Sequence, residues 1–308
     1  MQIAKNLSSL AARVSSIEPV LKCFFFRPAS PRPLALLRMG VSATLLLQAW
    51  MVRATYFDMF SSQGIIQGPI TRYLSGPYHF DVTSLLPFGF DERRLLAILG
   101  LTYALSLFCL LIGAWSRGAA IVAWLLHMTL MKSGVSTNYG ADAYGHIFLF
   151  YFMFFPISDT WSVDSWKKGS EREVSSAARF AIRVIQLHLC ISYFSSAVLK
   201  AAGPQWWDGE VIWRAMTLPV YIRWDMTWLS NHMWICKLSA WGTLVLEGLY
   251  PIFIWPKVTR PFWVAGIVSL HLGIAIFMGL EIFGLLLAFL TLAVFGISSE
   301  PNSKTIRL

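Results

Sequence analysis

Lys200 is preceded at four, seven, eleven and fourteen positions by Ser196, Tyr193, Leu189 and Gln186. At helical spacing these residues share one face, a mostly polar stripe that ends in an amine. Two chemistries fit such an amine. A long side chain at a helix end carries its charge out to an interface and anchors there. A lysine held away from water loses protons more readily and serves as a base. Glu247 lies in Leu-Val-Leu-Glu-Gly-Leu-Tyr-Pro, about ten residues from either end of its apolar run. An ionisable group at such depth costs several kcal/mol unless it is paired or neutralised. Arg38 and Arg183 are its expected partners, in a structural ion pair or a hydrogen-bonded acid. His271, in the middle of another apolar run, reads either as a structural hydrogen-bonder or as part of a site. Asp142 and His146 are four apart and would share a helix face as a hydrogen-bonded pair, unless Asp142 caps the helix instead. Asn138 precedes them in a stretch with Gly134, Gly140 and Gly145, where backbone can approach a neighbour closely. Glu281 is expected to be solvated in an outer turn.

Other chemistries lack their residues. The chain has no H-E-x-x-H, no phosphate-binding glycine loop, no dinucleotide fingerprint and no G-x-S-x-G elbow. Cys23, Cys109, Cys190 and Cys236 form no C-x-x-C pair and no metal-ligand spacing, so they read as buried, inert thiols.

The elements that must position these groups follow from composition. Of 308 residues, 56% are hydrophobic and 13% are charged, and mean hydropathy is +0.58. Soluble domains carry roughly 25% charged residues, so most of this surface is solvated by something other than water. Leu95 to Trp115 holds no charge, and its length matches the ~20 residues that cross a bilayer core. Hydropathy and charge breaks predict eight helices, near 34–52, 95–115, 118–131, 145–158, 180–199, 238–256, 261–280 and 282–298. The fold expected is all-α, a polytopic transmembrane bundle of about eight helices. The third and fourth helices are short, so the stretch between them is expected to re-enter the membrane in part.

Charge then orients the bundle. The connections on one side (1–33, 116–117, 159–183, 257–260, 299–308) hold 15 Lys and Arg, and the longer ones opposite hold 9. The positive-inside rule places both termini in the cytoplasm of a multi-pass inner-membrane protein. The net charge of +9 thus belongs to membrane topology, and nucleic acid is excluded as a partner. Residues 1–33 read as an amphipathic helix on the cytoplasmic leaflet, with Leu7, Leu10, Val14, Ile17 and Leu21 on one face. Residues 34–298 form the membrane domain and 299–308 a cytoplasmic tail. The long outer connection 200–237 contains Trp206, Trp207, Trp213, Trp224, Trp228 and Trp234, spaced for short interfacial helices.

In order, several stretches resemble the horizontally transferred transmembrane domain family, which includes vitamin K-dependent gamma-glutamyl carboxylases. They are Arg-Pro-Ala-Ser-Pro-Arg-Pro-Leu-Ala-Leu-Leu-Arg (27–38), Leu-Ile-Gly-Ala-Trp-Ser-Arg (111–117), Asn138 to Tyr144 and Trp161-Ser-Val-Asp. Gln186-x₆-Tyr193-Phe194-x₅-Lys200, followed by Trp206 or Trp207 and Gly209, is the most specific. Leu-Glu-Gly-Leu-Tyr-Pro (246–251) and Ser269-Leu-His271 complete the series. The resemblance implies a reaction centre at the extracytoplasmic side of an eight-helix bundle. It implies Lys200 as the base acting on a reduced naphthoquinone of the menaquinone type, with His271 and Asn138 in the active centre. Gln186, Tyr193, Ser196, Asp142, His146 and Trp206 are the expected cofactor neighbours. This chain departs from the family in three ways. Leu199 stands where the carboxylases have a second lysine. Tyr139, Gly140 and Ala141 follow Asn138 where they have a histidine, with His146 the replacement one turn along. No large lumenal domain is present to hold a peptide, so a smaller or partner-delivered substrate is expected. Short bacterial members resemble membrane components of peptide maturation systems. A secreted peptide or a partner protein, without catalysis by this chain, is therefore the alternative expectation.

Overall fold

A computed structural model describes residues 18–65, 91–134, 138–169, 174–221 and 223–300, with 70, 73 and 89 singly. The interfacial pattern of residues 7–17, most of the outer connection 53–94 and the tail beyond 300 lie outside the described residues. So does 135–137, the middle of the expected re-entrant stretch.

The described chain is helical, with one isolated antiparallel bridge between Ala29 and Ser175. Helix α1 covers 18–26. It is followed by α2 (Arg32–Val52), α3 (Tyr56–Phe60), α4 (Glu92–Ile112), α5 (Ser116–Ser133), α6 (Gly140–Phe154) and α7 (Val163–Lys167). The second half holds α8 (Ser176–Ala201), α9 (Glu210–Thr217), α10 (Met233–Gly248), α11 (Tyr250–Phe253), α12 (Arg260–Met278) and α13 (Glu281–Thr291). Four of these, α2, α4, α8 and α12, are long and apolar enough to cross a membrane. Their outward faces agree: Leu101 on α4 is 73% exposed and Leu199 on α8 is 77% exposed. Apolar surface on that scale marks contact with lipid or another protein.

Two groups of helices meet at α2, which packs on α4 and α6 of its own group and on α13 and α8 of the other. Close packing of α13 on α12 depends on Gly284. A Cβ there would lie 2.3 Å from the carbonyl oxygen of His271 and 2.8 Å from the Ala275 methyl, so α13 lies directly on the α12 backbone.

Arg38 holds the first group together and is fully buried. Its Nε donates to the carbonyl of Ile157 (3.1 Å), and Nη2 donates to that of Trp161 (2.6 Å). Nη1 donates to the carbonyls of Leu110 and Leu111, the latter at 2.8 Å. The last carbonyls of a helix have no partner within it; the guanidinium satisfies those of α4. Gly113 completes the same end in the left-handed region (φ 71), and its Cβ would meet Ser162 at 2.4 Å. This Gly ends α4 three residues earlier than hydropathy alone predicts. At the other end, Asp91 accepts from the Arg94 N–H at 3.0 Å and starts the helix among its charged residues.

Helix α5 starts from a comparable cap. Asp164 accepts from the backbone N–H of Trp115 (2.8 Å) and Ser116 (2.9 Å) and from the Ser116 hydroxyl (2.8 Å). Burial pushes the Asp164 carboxyl up, but these hydrogen bonds outweigh it and hold the group below its usual 3.8. A depressed carboxyl stabilises the fold above its unfolded value, and that contribution disappears as pH falls through the folded one. Replacing Asp164 with alanine is expected to cost about 1 kcal/mol at neutral pH. The variant and the wild type should converge in melting temperature as pH falls through the depressed value of the folded carboxyl. Melting curves across acid pH test this; a gap that persists in acid rules out the ionised cap.

The sixth expected helix, 238–256, is broken. Pro251 has no N–H to offer the Glu247 carbonyl four residues back, so α10 ends at Gly248 and α11 begins at Tyr250. The tryptophan-rich connection contains the expected short helices: α9 and 3₁₀ turns at Pro204–Trp206 and Thr227–Asn231. Cys23 is exposed rather than buried. Cys190 and Cys236 are buried as expected, and Cys109 is half-buried.

Candidate functional site

Lys200 lies in the last turn of α8 and Glu247 in the last turn of α10, beside the break. The Lys200 Nζ donates to both carboxylate oxygens of Glu247, at 2.5 and 2.6 Å. The lysine side chain is 25% exposed and the carboxylate only 5%. Trp206 folds back over the amine, with its ring centroid 5.2 Å from Nζ. One and two turns deeper along α8, Ser196 is half-buried and Tyr193 is buried. The Tyr193 hydroxyl shares a 2.9 Å hydrogen bond with His271 Nε2 on α12, while Nδ1 of that ring has no partner among the described residues. An unpaired buried nitrogen costs free energy, so this one is marked as a place where a ligand or a proton is expected. The amine and the phenol lie along α8, the carboxylate on α10, which packs against it, and the imidazole on α12.

A second group of polar side chains lines a cavity of about 780 Å³ between α2, α3, α4, α5, α6 and the α12–α13 turn. Its wall is largely apolar, including Leu45, Phe57, Phe60 and Ile282, with Gln48, His127, Asn138 and Asp142 gathered near the start of α6. His127 Nε2 is 3.0 Å from the carbonyl oxygen of Asp142, so Nε2 carries the proton and donates it there. Its Nδ1 then accepts from the Tyr103 hydroxyl at 2.7 Å. The Asp142 carboxylate accepts from Gln48 Nε2 (2.6 Å) and from the Tyr139 N–H that opens α6 (3.0 Å). Asn138 donates to the Met131 carbonyl at 2.7 Å and also lines the cavity. The two groups share α6, which carries Asp142 at the cavity and, half a turn on, Tyr144. Tyr144 is half-buried against the core, with its hydroxyl near Ser192 on α8.

The expected site residues are thus sorted into two places, with Gln186 and His146 in neither. Lys200, Tyr193, Ser196, His271 and Trp206 gather on the α8 side. Asn138 and Asp142 line the cavity. Gln186 joins neither: its amide donates to the Val294 carbonyl at 2.6 Å and its oxygen accepts from Arg183, near the opposite end of α8. Its position on the stripe is right, but two turns separate it from Tyr193.

Several expectations are corrected. Lys200 does not extend to the interface alone, because a buried carboxylate draws the amine inward. Glu247 pairs with neither Arg38 nor Arg183. The first is saturated by carbonyls, and the second donates to the Phe24 carbonyl at 3.2 Å as well as to Gln186. Asp142 and His146 form no pair, since the carboxylate turns back to the start of α6 as a cap. His146 instead stacks on Trp124 with ring centroids 4.9 Å apart. Glu281 is bonded to Arg223. Gln48, Tyr103, His127 and Tyr144 enter the site unannounced. The signal available for His127 was the same as for His271, a histidine inside an apolar run.

No group of three metal-ligating side chains occurs among the described residues. No protein-family model, curated protein or solved structure matches this chain.

Proposed function

We propose that this chain is an eight-span integral membrane protein of the horizontally transferred transmembrane domain type, with both ends cytoplasmic. It carries out quinol-linked base chemistry at its extracytoplasmic end. The observation that carries the reading is the Lys200–Glu247 pair. An amine bonded to a buried carboxylate beside a helix break, with an imidazole–phenol pair one helix away, has the components of acid–base catalysis. Lys200 is the base when the proton shared by the pair resides on Glu247, which leaves Nζ neutral with a free lone pair to take a proton from the substrate. His271 and Tyr193 form a second donor–acceptor pair beneath it.

The cavity suits a reduced naphthoquinone of the menaquinone type. Its volume falls within the range of about 300–1,000 Å³ common for small-molecule sites, and its wall is largely apolar with polar groups gathered near the start of α6. Bound there, such a quinol supplies an oxidisable hydroxyl pair. Gln48 holds the Asp142 carboxylate, Asp142 fixes the start of α6, and His127 with Asn138 provides polar groups for the ring oxygens. Tyr144 links this end of α6 to the Lys200 side.

A second reading is favoured by one observation: Lys200 is absent from the cavity wall and engages both oxygens of Glu247. An amine satisfied in that way serves a structural role. The protein would then be a partner-dependent membrane factor for maturation or export of a secreted peptide.

Quinol binding separates the two. Reduced menaquinone should quench the tryptophan fluorescence of the protein in lipid nanodiscs saturably. Ala104→Phe, which fills the cavity, should weaken that binding by about tenfold or more. Wild-type affinity in Ala104→Phe excludes the cavity as the quinol site, and no saturable quenching in the wild type leaves the second reading.

A further inference from the structure

The opposite end of α8 carries a pocket that the proposed chemistry does not use. It measures about 500 Å³ and is lined by Pro19, Val20, Cys23 and Phe24 of α1 with Arg27, Arg179, Arg183 and Glu300. Three guanidiniums therefore face one carboxylate among the described residues. Arg179 is buried and donates from Nε to the Arg27 carbonyl at 3.0 Å and from Nη2 to Glu300 at 3.1 Å. Arg27 approaches the other oxygen of Glu300 at 3.9 Å. Arg183 is fixed between aromatic rings, 4.2 Å from the Phe24 centroid and 5.3 Å from that of Trp255. Arg179 and Arg183 also stand in the first two turns of α8, where the helix end adds partial positive charge. Burial pushes the Glu300 carboxyl up, yet the hydrogen bond from Arg179 and the charges of Arg179, Arg27 and Arg183 hold it below its usual value. The chain's own carboxylate thus already rests against a surface built for an anion, and it neutralises only part of the charge there.

We propose that this pocket binds a phosphate-bearing anion, the headgroup of an anionic phospholipid in the leaflet next to α1. Planar guanidiniums match phosphate oxygens with paired hydrogen bonds, and basic pockets between helices at a membrane face suit such headgroups. The surroundings select the lipid over a soluble phosphate. Val20, Leu21, Phe26 and Phe180 are exposed around the pocket, with the Phe26 and Phe180 rings stacked at 5.7 Å. A soluble ion has no use for these apolar side chains, whereas acyl chains descending from a headgroup would cover them. Only the identity of the leaflet rests on the proposed topology; the pocket stands without the quinol chemistry.

Delipidated protein, titrated with phosphatidylglycerol or phosphatidylcholine and read by native mass spectrometry, tests the proposal. Reaction of the exposed Cys23 thiol with a maleimide provides a second readout at the pocket. Phosphatidylglycerol should be retained and should protect Cys23, and phosphatidylcholine should do neither. Arg27→Gln should weaken retention about fivefold, and Glu300→Gln should tighten it by a similar factor. These opposite signs are the signature, since a merely structural role would move both variants in one direction. Equal retention of the two lipids, or equal effects of the two variants, overturns the proposal. Protection of Cys23 by inorganic phosphate as complete as that by the lipid overturns the lipid assignment. None of these readouts involves quinol, so failure here and failure of the quinol reading are separate results.

Discussion

Lys200→Ala is expected to abolish quinol turnover and to destabilise the protein by about 3–5 kcal/mol, because it leaves the Glu247 carboxylate buried without a partner. The carboxylate is 5% exposed and both of its oxygens are bonded to Nζ, so water cannot readily replace the amine. Misfolding and loss of chemistry would look alike in that variant alone. Lys200→Met combined with Glu247→Leu removes both charges together, and apolar replacement of a whole buried pair is commonly neutral or stabilising. The double variant should therefore recover the wild-type melting temperature while turnover remains at least about 100-fold down. Melting in nanodiscs and oxidation of reduced menaquinone, with dioxygen supplied as the electron acceptor, measure the two properties separately. If turnover returns with stability, Lys200 is a structural residue and the base assignment is lost.

The second large effect concerns Arg38. Replacement by leucine should cost about 3–5 kcal/mol, since the carbonyls of Leu110, Leu111, Ile157 and Trp161 all lose this donor together. That is a large share of the 5–15 kcal/mol by which folded domains are typically stable, so the variant should accumulate poorly. Lysine is not a rescue. Its ammonium is a single compact donor group, whereas the guanidinium reaches carbonyls of α4 and of the segment after α6 at the same time. Arg53 is the control: it is exposed and stacks on Trp50 at 3.9 Å, so Arg53→Leu should stay within about 0.5 kcal/mol of wild type. Thermal melting of Arg38→Leu, Arg38→Lys and Arg53→Leu decides the matter. An Arg38→Lys protein as stable as wild type excludes the fork of carbonyls as the stabilising feature.

What sequence made legible was whatever repeats within one element. The apolar runs produced helices close to their expected ranges, and the spacing from Gln186 to Lys200 placed those residues on a face directed into the bundle. Asp142 as a cap is also readable, because the N–H that its carboxylate accepts from, that of Tyr139, lies three residues away. Contacts between elements were not. Hydropathy places Glu247 in the middle of one continuous helix, which makes the nearest deep arginines its natural partners. The missing N–H of Pro251 breaks that helix just after Glu247, and the carboxylate pairs instead with Lys200, 47 positions away. The cavity was equally hidden, because six elements contribute to its wall and none has a periodic pattern directed at it. Gln48 shows the difficulty: on α2 it is one polar residue in an apolar run, and its meaning depends on Asp142, 94 positions later.

The carbonyls that receive Arg38 are made late. Leu110, Ile157 and Trp161 follow it by 72, 119 and 123 residues. During synthesis α2 emerges with a cation in its second turn and nothing to receive it. Early insertion of this helix is therefore provisional, with the guanidinium held by water or headgroups at the membrane edge until α4 and the turn after α6 are in place. Its capture then commits the first half of the protein at a defined point in biogenesis. Chains truncated before Trp161 should expose Arg38 to the quality-control proteases that survey unassembled helices, while slightly longer chains should escape them.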